Sequence, residues 1–143
     1  MIAVDTNILV YAHREDSPWH GKALEKITSL AKSGSPWAIT WPSVHEFLAI
    51  VTHPKIYDPP TPLATALAAI QAWRSSPHLR LLAEGPGYFE KLSAQSTAGM
   101  IRGPKIHDAR IAAICLNHGV KKLWSADRDF SSFPELSCVN PLV

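Results

Sequence analysis

The stretch Met1-Ile2-Ala3-Val4-Asp5-Thr6-Asn7 decides how the rest of the chain reads. Four apolar residues are the right length for a fully buried strand. An acid follows, then two residues that favour turns and helix N-caps. A strand that delivers a carboxylate to its own C-terminal end opens an α/β site, because chemistry in such folds sits beyond the carboxyl ends of the strands. Read alone, Asp5 is better explained as a cap on the next helix. Acids further along the chain change that balance.

The chain has 143 residues, which suits one domain, residues 1–143, built on one core. Its hydrophobic fraction of 46% makes burial sufficient and disorder unexpected. A formal charge of +2 is too weak to argue for nucleic acid by itself. Cys115 and Cys138 lack CxxC spacing and sit in apolar stretches, so two reduced, buried thiols and a cytoplasmic location are expected. The acid at position 5 and the missing basic segment argue against a secretory signal. No apolar run approaches the ~18 residues of a membrane span, so no membrane partner is expected.

Taken in order, residues 1–5 are predicted as a strand and Asn7–Ala12 as a short helix capped by Thr6 or Asn7. Ser17 as N-cap and Pro18 at the first position predict a second helix that Gly34 stops. Pro36–Thr40 reads as a strand, and Trp41-Pro42-Ser43 opens a third helix that His53-Pro54 ends. Thr61 should cap an alanine-rich helix over Leu63–Trp73, with Leu63, Leu67, Ile70 and Arg74 on one side. Two apolar helices joined by a proline turn make an αα-hairpin suited to an interface. A strand is expected at Leu79–Leu82, a helix at Tyr88–Ala94 and a mobile loop at Thr97–Gly103. Pro104 should begin a helix running to Asn117, followed by strands at Lys122–Ser125 and Leu136–Val139, with a turn or short helical segment at Asp127–Phe130 between them. Strands alternating with helices predict an α/β fold around a parallel sheet of four to five strands.

Four acids stand where surface acids would not. Asp108, Ile111, Ala112, Cys115 and Leu116 recur at helical spacing, so Asp108 shares the apolar stripe of its helix. A lone ionised carboxylate is too costly to bury casually; the bland alternative is an acid favouring the helix dipole. Glu46, beside His45 and Phe47, has a semi-apolar face or is a surface acid at a helix start. Leu123-Trp124-Ser125-Ala126-Asp127 repeats the opening device, and one of Asp127 or Asp129 is expected to act only as a cap. Carboxylates gathered at one sheet edge repel one another unless a divalent cation joins them, and all-oxygen donors suit Mg²⁺ or Mn²⁺. Such a site activates water for phosphodiester hydrolysis, which points to a metal-dependent nuclease or phosphatase.

Asp5-Thr6-Asn7, Glu46 in a helix, His107-Asp108-Ala109-Arg110-Ile111-Ala112 and Ser125-Ala126-Asp127-Arg128-Asp129-Phe130 together resemble the PIN-domain family. The nearest likeness is to the VapC-type ribonuclease toxins of toxin–antitoxin pairs. Each motif is short, but four in order span nearly the whole chain. The resemblance implies a three-layer α/β/α domain and a Mg²⁺-dependent endoribonuclease site, with Mn²⁺ as a substitute. It also implies an RNA substrate, a homodimer and a cognate antitoxin that blocks the site. The matching positions are Asp5, Glu46, Asp108 and Asp127, as metal-holding catalytic residues. Ser125 departs from the family's usual Thr but keeps the hydroxyl. Of Asp127 and Asp129, the spacing after Ser125 favours Asp127.

Arg102, Lys105 and Arg128 bracket these motifs as candidate phosphate contacts, against solvated or ion-paired alternatives. Arg110 is expected to face away from Asp108, and His107 reads as structural. Five tryptophans are better explained by packing than by base stacking. His45-Glu46 lacks the second His of HExxH, and no GxSxG elbow or P-loop occurs. Two rival readings are a metal-dependent phosphatase or phosphotransfer domain, and a PIN-like binding module without cleavage. The missing second acid of a DxDx[TV] motif weighs against the first, and the presence of all four acids against the second.

Overall fold

The computed structural model describes residues 1–143. Five strands form one parallel sheet: β1 (Ile2–Val4), β2 (Trp37–Thr40), β3 (Leu79–Leu82), β4 (Lys122–Trp124) and β5 (Ser137–Val139), in the spatial order β3-β2-β1-β4-β5. The helices are α1 (Thr6–His13), α2 (His20–Lys32), α3 (Trp41–Val51), α4 (Leu63–Arg74), α5 (Tyr88–Ala98) and α6 (Ile106–Asn117). Parallel strands need crossover connections, and helices supply them here. The predicted α/β architecture and five-strand limit therefore stand.

Alternation along the short strands sorts side chains into two cores. Val4, Trp37 and Ile39 join Ile8, Leu9, Ile27, Phe47 and Ile70 from α1–α4 on one face. Ala3, Ala38, Leu82 and Leu123 join Ile111, Ile114 and Cys115 from α6, with Phe130 and Phe133, on the other. The result is a three-layer sandwich with near-continuous apolar strands, as burial on both faces requires.

Several boundaries differ from those the sequence suggests. Ser17-Pro18 forms a turn in which Ser17 Oγ accepts from the Trp19 N–H, and α2 begins at His20. Pro62, not Thr61, is the N-cap of α4; the Thr61 hydroxyl instead meets His13 Nε2 at 3.1 Å and accepts from Arg14 at 3.2 Å. Leu63 and Leu67 are exposed, and α4 turns Ala66 and Ile70 inward, so the expected Leu63–Leu67–Ile70 side is split between solvent and core. The expected loop at 97–103 is partly helical, because nothing breaks α5 until Gly99; the chain then turns through Met100 at a φ of 49°. Pro104 sits in a 3-10 turn, Gly103–Lys105, and α6 proper starts at Ile106. Asp108 is thus in the first turn of its helix rather than a turn further in. Cys115 is buried as expected, whereas Cys138 on the edge strand is only half-buried.

Candidate metal-dependent site at the switch point of the sheet

The chain leaves β1 toward β2 and β3 on one side and reaches β4 and β5 on the other. The sheet order therefore reverses between β1 and β4, where a crevice opens beyond the strand ends. The pairing of Val4 with Trp124 puts Asp5 beside Ser125, one residue past the paired strands. Asp5 is 5% exposed. It occupies the N-cap position of α1, yet its side chain makes no capping bond. Its carboxylate accepts instead from Ser125 Oγ at 2.7 Å.

Ser125 is the hub of this corner. Its hydroxyl donates to Asp5 and accepts from Asn7 Nδ2 at 3.2 Å and from the Asp127 N–H at 2.9 Å. A hydroxyl has one donor and two acceptor sites, and all three are used. Asn7 Oδ1 accepts from the Ala126 N–H at 3.1 Å, which ties the start of α1 to the end of β4 a second time. These two bonds explain why Asn and a hydroxyl residue stand in otherwise cap-like sequences. Glu46 is drawn to the same place by Thr6, whose Oγ1 donates to Glu46 Oε2 at 2.8 Å.

Across the crevice, Asp108, Asp127 and Asp129 each offer a ligand atom within 4.8 Å of the others. Asp127 caps the 3-10 segment Arg128–Ser132 by accepting from the Asp129 N–H at 2.8 Å. It thus fulfils the capping alternative and still joins the cluster. Asp129 was subordinated to Asp127 in the sequence, and the structure brings both to Asp108. The signal for Asp129 was its spacing two residues on, which a 3-10 turn folds back.

The acids are held in their uncharged form longer than usual. Burial pushes Asp5 up to about 6; the Ser125 hydroxyl and the Thr6 N–H oppose this, while the charges of Glu46 and Asp108 add to it. Burial also pushes Asp108 up to about 6, aided by the charges of Asp127, Asp129 and Glu46 and opposed by Lys105. Raised carboxylates at a polar crevice mark a functional site more often than a structural one. The donors are all oxygen and carry excess negative charge, which fits a hard divalent cation and excludes a soft-metal site.

The candidate cations are divided. Lys105 lies 3.9 Å from Asp129, and Arg110 is ion-paired to Glu84 at 2.5 Å, facing away from the cluster. Arg102 and Arg128 are exposed and make no ion pair, and His107 is exposed rather than structural.

The family model of the PIN domain matches residues 2–136. The chain belongs to the PIN-domain family. Among curated relatives of this PIN domain, ribonuclease VapC31 of Mycobacterium tuberculosis is 31% identical over 144 residues, covering 99% of each chain. Ribonuclease VapC48 of the same species is 29% identical over 137 residues, covering 96% of this chain and 94% of its own. Among solved structures, the PIN domain superposes on VapBC2 of Rickettsia felis, bound to a promoter DNA fragment, with a TM-score of 0.67 and 19% identity over 97% of this chain and 98% of that one. It also superposes on VapC20 of M. tuberculosis, described as a sarcin–ricin-loop-cleaving toxin, with a TM-score of 0.67 and 19% identity over 92% and 94% of the two chains. These structural likenesses establish the same fold.

Proposed function

We propose that this PIN domain is a Mg²⁺-dependent endoribonuclease, the toxin of a toxin–antitoxin pair. The observation that carries the reading is the oxygen-only cluster of Asp108, Asp127 and Asp129 facing the buried Asp5 at the switch point. Names of near-full-length relatives, ribonucleases VapC31 and VapC48, support the substrate class. In this reading Asp5, Glu46, Asp108 and Asp127 are the metal-holding catalytic residues, with Asp129 as a further donor. A divalent cation held by Asp5, Glu46, Asp108 and Asp127 would lower the pKa of a bound water and offset negative charge at the scissile phosphate. The chain's own part is to fix the carboxylates: Ser125 holds Asp5, Thr6 holds Glu46, and the 3-10 cap holds Asp127 beside Asp129. Lys105, 3.9 Å from Asp129, and Arg102 and Arg128, near the cluster acids in sequence, are read as phosphate contacts, Lys105 by exchanging Asp129 for the strand.

A homodimer and a covering antitoxin complete the proposal; the antitoxin is supported by the fold neighbour VapBC2 of Rickettsia felis, solved on a fragment of its promoter DNA. The protein is assigned to the cytoplasm, where its RNA lies; no helix is long and apolar enough to cross a membrane. The whole of residues 1–143 is taken as one PIN unit.

Purified wild-type protein should cleave RNA with Mg²⁺ or Mn²⁺ and not with EDTA. Asp5→Asn and Asp108→Asn should each lose this activity while keeping a native circular-dichroism spectrum. Undiminished cleavage by both variants, with contaminating nuclease excluded, would overturn the mechanism.

A further inference from the structure

A polar hollow adjoins the acidic cluster. It holds about 390 Å³, and its walls include Ser125, Asp127, Arg128, Ser131, Cys138 and Asn140. Small-molecule sites span about 300–1,000 Å³, so its size suits one small ligand unit such as a nucleotide. Cavities along α5, just after it and at the end of α1 are larger, but none of them includes an acid of the cluster.

Strand register sets this hollow against the site. Val4 pairs with Trp124, and Trp124 with Val139. The residues that follow, Asp5, Ser125 and Asn140, therefore stand in one row at the carboxyl ends of β1, β4 and β5. The Ser125 N–H donates to the Val139 carbonyl at 3.0 Å and ties the row on its β5 side. Asp127 belongs to both places: it joins Asp108 and Asp129 in the cluster, and it lines the hollow.

What the hollow offers is mostly donors. Asn140 Oδ1 accepts from the Leu142 N–H at 3.0 Å, which fixes the orientation of the amide and leaves its NH₂ group without a partner in the protein. Arg128 makes no ion pair, and a guanidinium has no acceptor to give. Ser125 Oγ already donates to Asp5 and accepts from Asn7 and Asp127. The Ser131 hydroxyl can give or take, so it does not discriminate. The half-buried Cys138 thiol turns toward the Asp127 carbonyl at 3.9 Å and adds a weakly polar wall. A complementary ligand brings a phosphate for Arg128 and a carbonyl oxygen, rather than an amine, for Asn140. Guanine and uracil carry keto oxygens where adenine and cytosine carry amino groups.

We propose that the hollow between Asp127 and β5 receives a nucleotide flanking the cleaved phosphate, with Arg128 on its phosphate and the Asn140 amide selecting a keto base over an amino base. The proposal rests on the ribonuclease reading above and adds a base preference to it.

The probes are two short 2′-O-methyl oligonucleotides of equal length, all-uridine and all-cytidine. In Mg²⁺, wild type should bind the uridine probe about fivefold more tightly, the scale of one hydrogen bond. Asn140→Asp keeps an acceptor for the Leu142 N–H but presents only acceptors to the hollow, so it should reverse the preference. Asn140→Ala should bring the two probes level. Arg128→Gln should weaken both probes alike, reduce the magnitude of the log–log salt slope by about 0.7 and preserve the ratio. A melting curve checks each variant. On mixed-sequence RNA, wild-type cuts should fall beside uridine or guanosine, and Asn140→Asp cuts beside cytidine or adenosine. Equal binding of the two probes by wild type, or a ratio that both Asn140 variants leave unchanged, would overturn the subsite while RNA cleavage survives. Failure of Asn140→Asp to capture a co-expressed antitoxin, with the probe ratio unchanged, would overturn it in favour of a protein contact. A wild type that neither binds nor cleaves RNA would overturn the ribonuclease reading itself, and the subsite with it.

Discussion

Asp5 and Asp108 carry opposite demands on one site. Chemistry needs them ionised, and folding without a cation prefers them neutral. Both are raised from 3.8 to about 6. Between those values the folded chain keeps protons that the unfolded chain has lost, so the stability these groups contribute falls as pH rises from about 4 to about 6, then levels off. Melting curves in EDTA should show that decline for wild type and a shallower one for Asp5→Asn. At neutral pH, Asp5→Asn and Asp108→Asn should melt higher than wild type in EDTA, by an amount on the order of 1 kcal/mol, because a like charge is removed from a crowded site. Mg²⁺ should stabilise wild type by mass action and the variants much less. Were these acids simple caps, their removal would lower the melting temperature and Mg²⁺ would have no effect. Asp5, Asp108 and Asp127 stand out in the sequence because each interrupts or ends an apolar run, whereas Glu46 reads equally well as a surface acid at a helix start. The roles of Ser125 and Asn7 are not legible there, since their partners lie 120 and 119 residues away in sequence, at Asp5 and Ala126.

At the level of elements, strand and helix order could be read from the chain, and the errors concentrate at helix starts. Ser17-Pro18 and Thr61-Pro62 both look like caps, but tertiary partners claim Thr61 and a turn claims Ser17. Arg14 is the reason Thr61 is diverted. Its side chain is 11% exposed and donates to the Pro59 carbonyl at 3.0 Å and to Thr61, while its guanidinium carbon lies 4.2 Å from the centre of the Tyr57 ring. One cation thereby pins the α3–α4 connection to the end of α1. Arg14→Ala should cost about 2 kcal/mol, the scale of charged hydrogen bonds lost from a largely buried group, and lower the melting temperature by several degrees. Thermal unfolding with and without the substitution checks this; an unchanged midpoint would mean the connection holds without it. Arg14→Lys should recover little, because an ammonium cannot reproduce the planar fork.

For the molecule as a whole, α4 leaves Leu63 60% exposed and Leu67 48% exposed beside the proline-rich turn. The segment from Pro42 to Trp73 is expected to form an interface, and these two leucines, with Ile56 on the connecting turn, are its exposed large apolar residues. Trp73 is not part of that surface, since it packs on Phe47, so a charge there would damage the core instead. Leu63→Glu with Leu67→Glu should therefore lower the oligomeric state in light scattering, or release the antitoxin in pull-down, with the melting temperature little changed. Neither effect would place the contact elsewhere on the molecule.

The pairing of β1 with β4 also sets a timetable. Asp5 is synthesised 120 residues before Ser125, with Asp127 and Asp129 later still, and β1 lacks one neighbour until Lys122–Trp124 arrives. A nascent chain stopped anywhere before β4 has strands and helices but no assembled carboxylate cluster. Synthesis of β1 to β3 alone thus leaves the cluster unassembled, and the carboxylates meet only once β4 and the segment after it have been made.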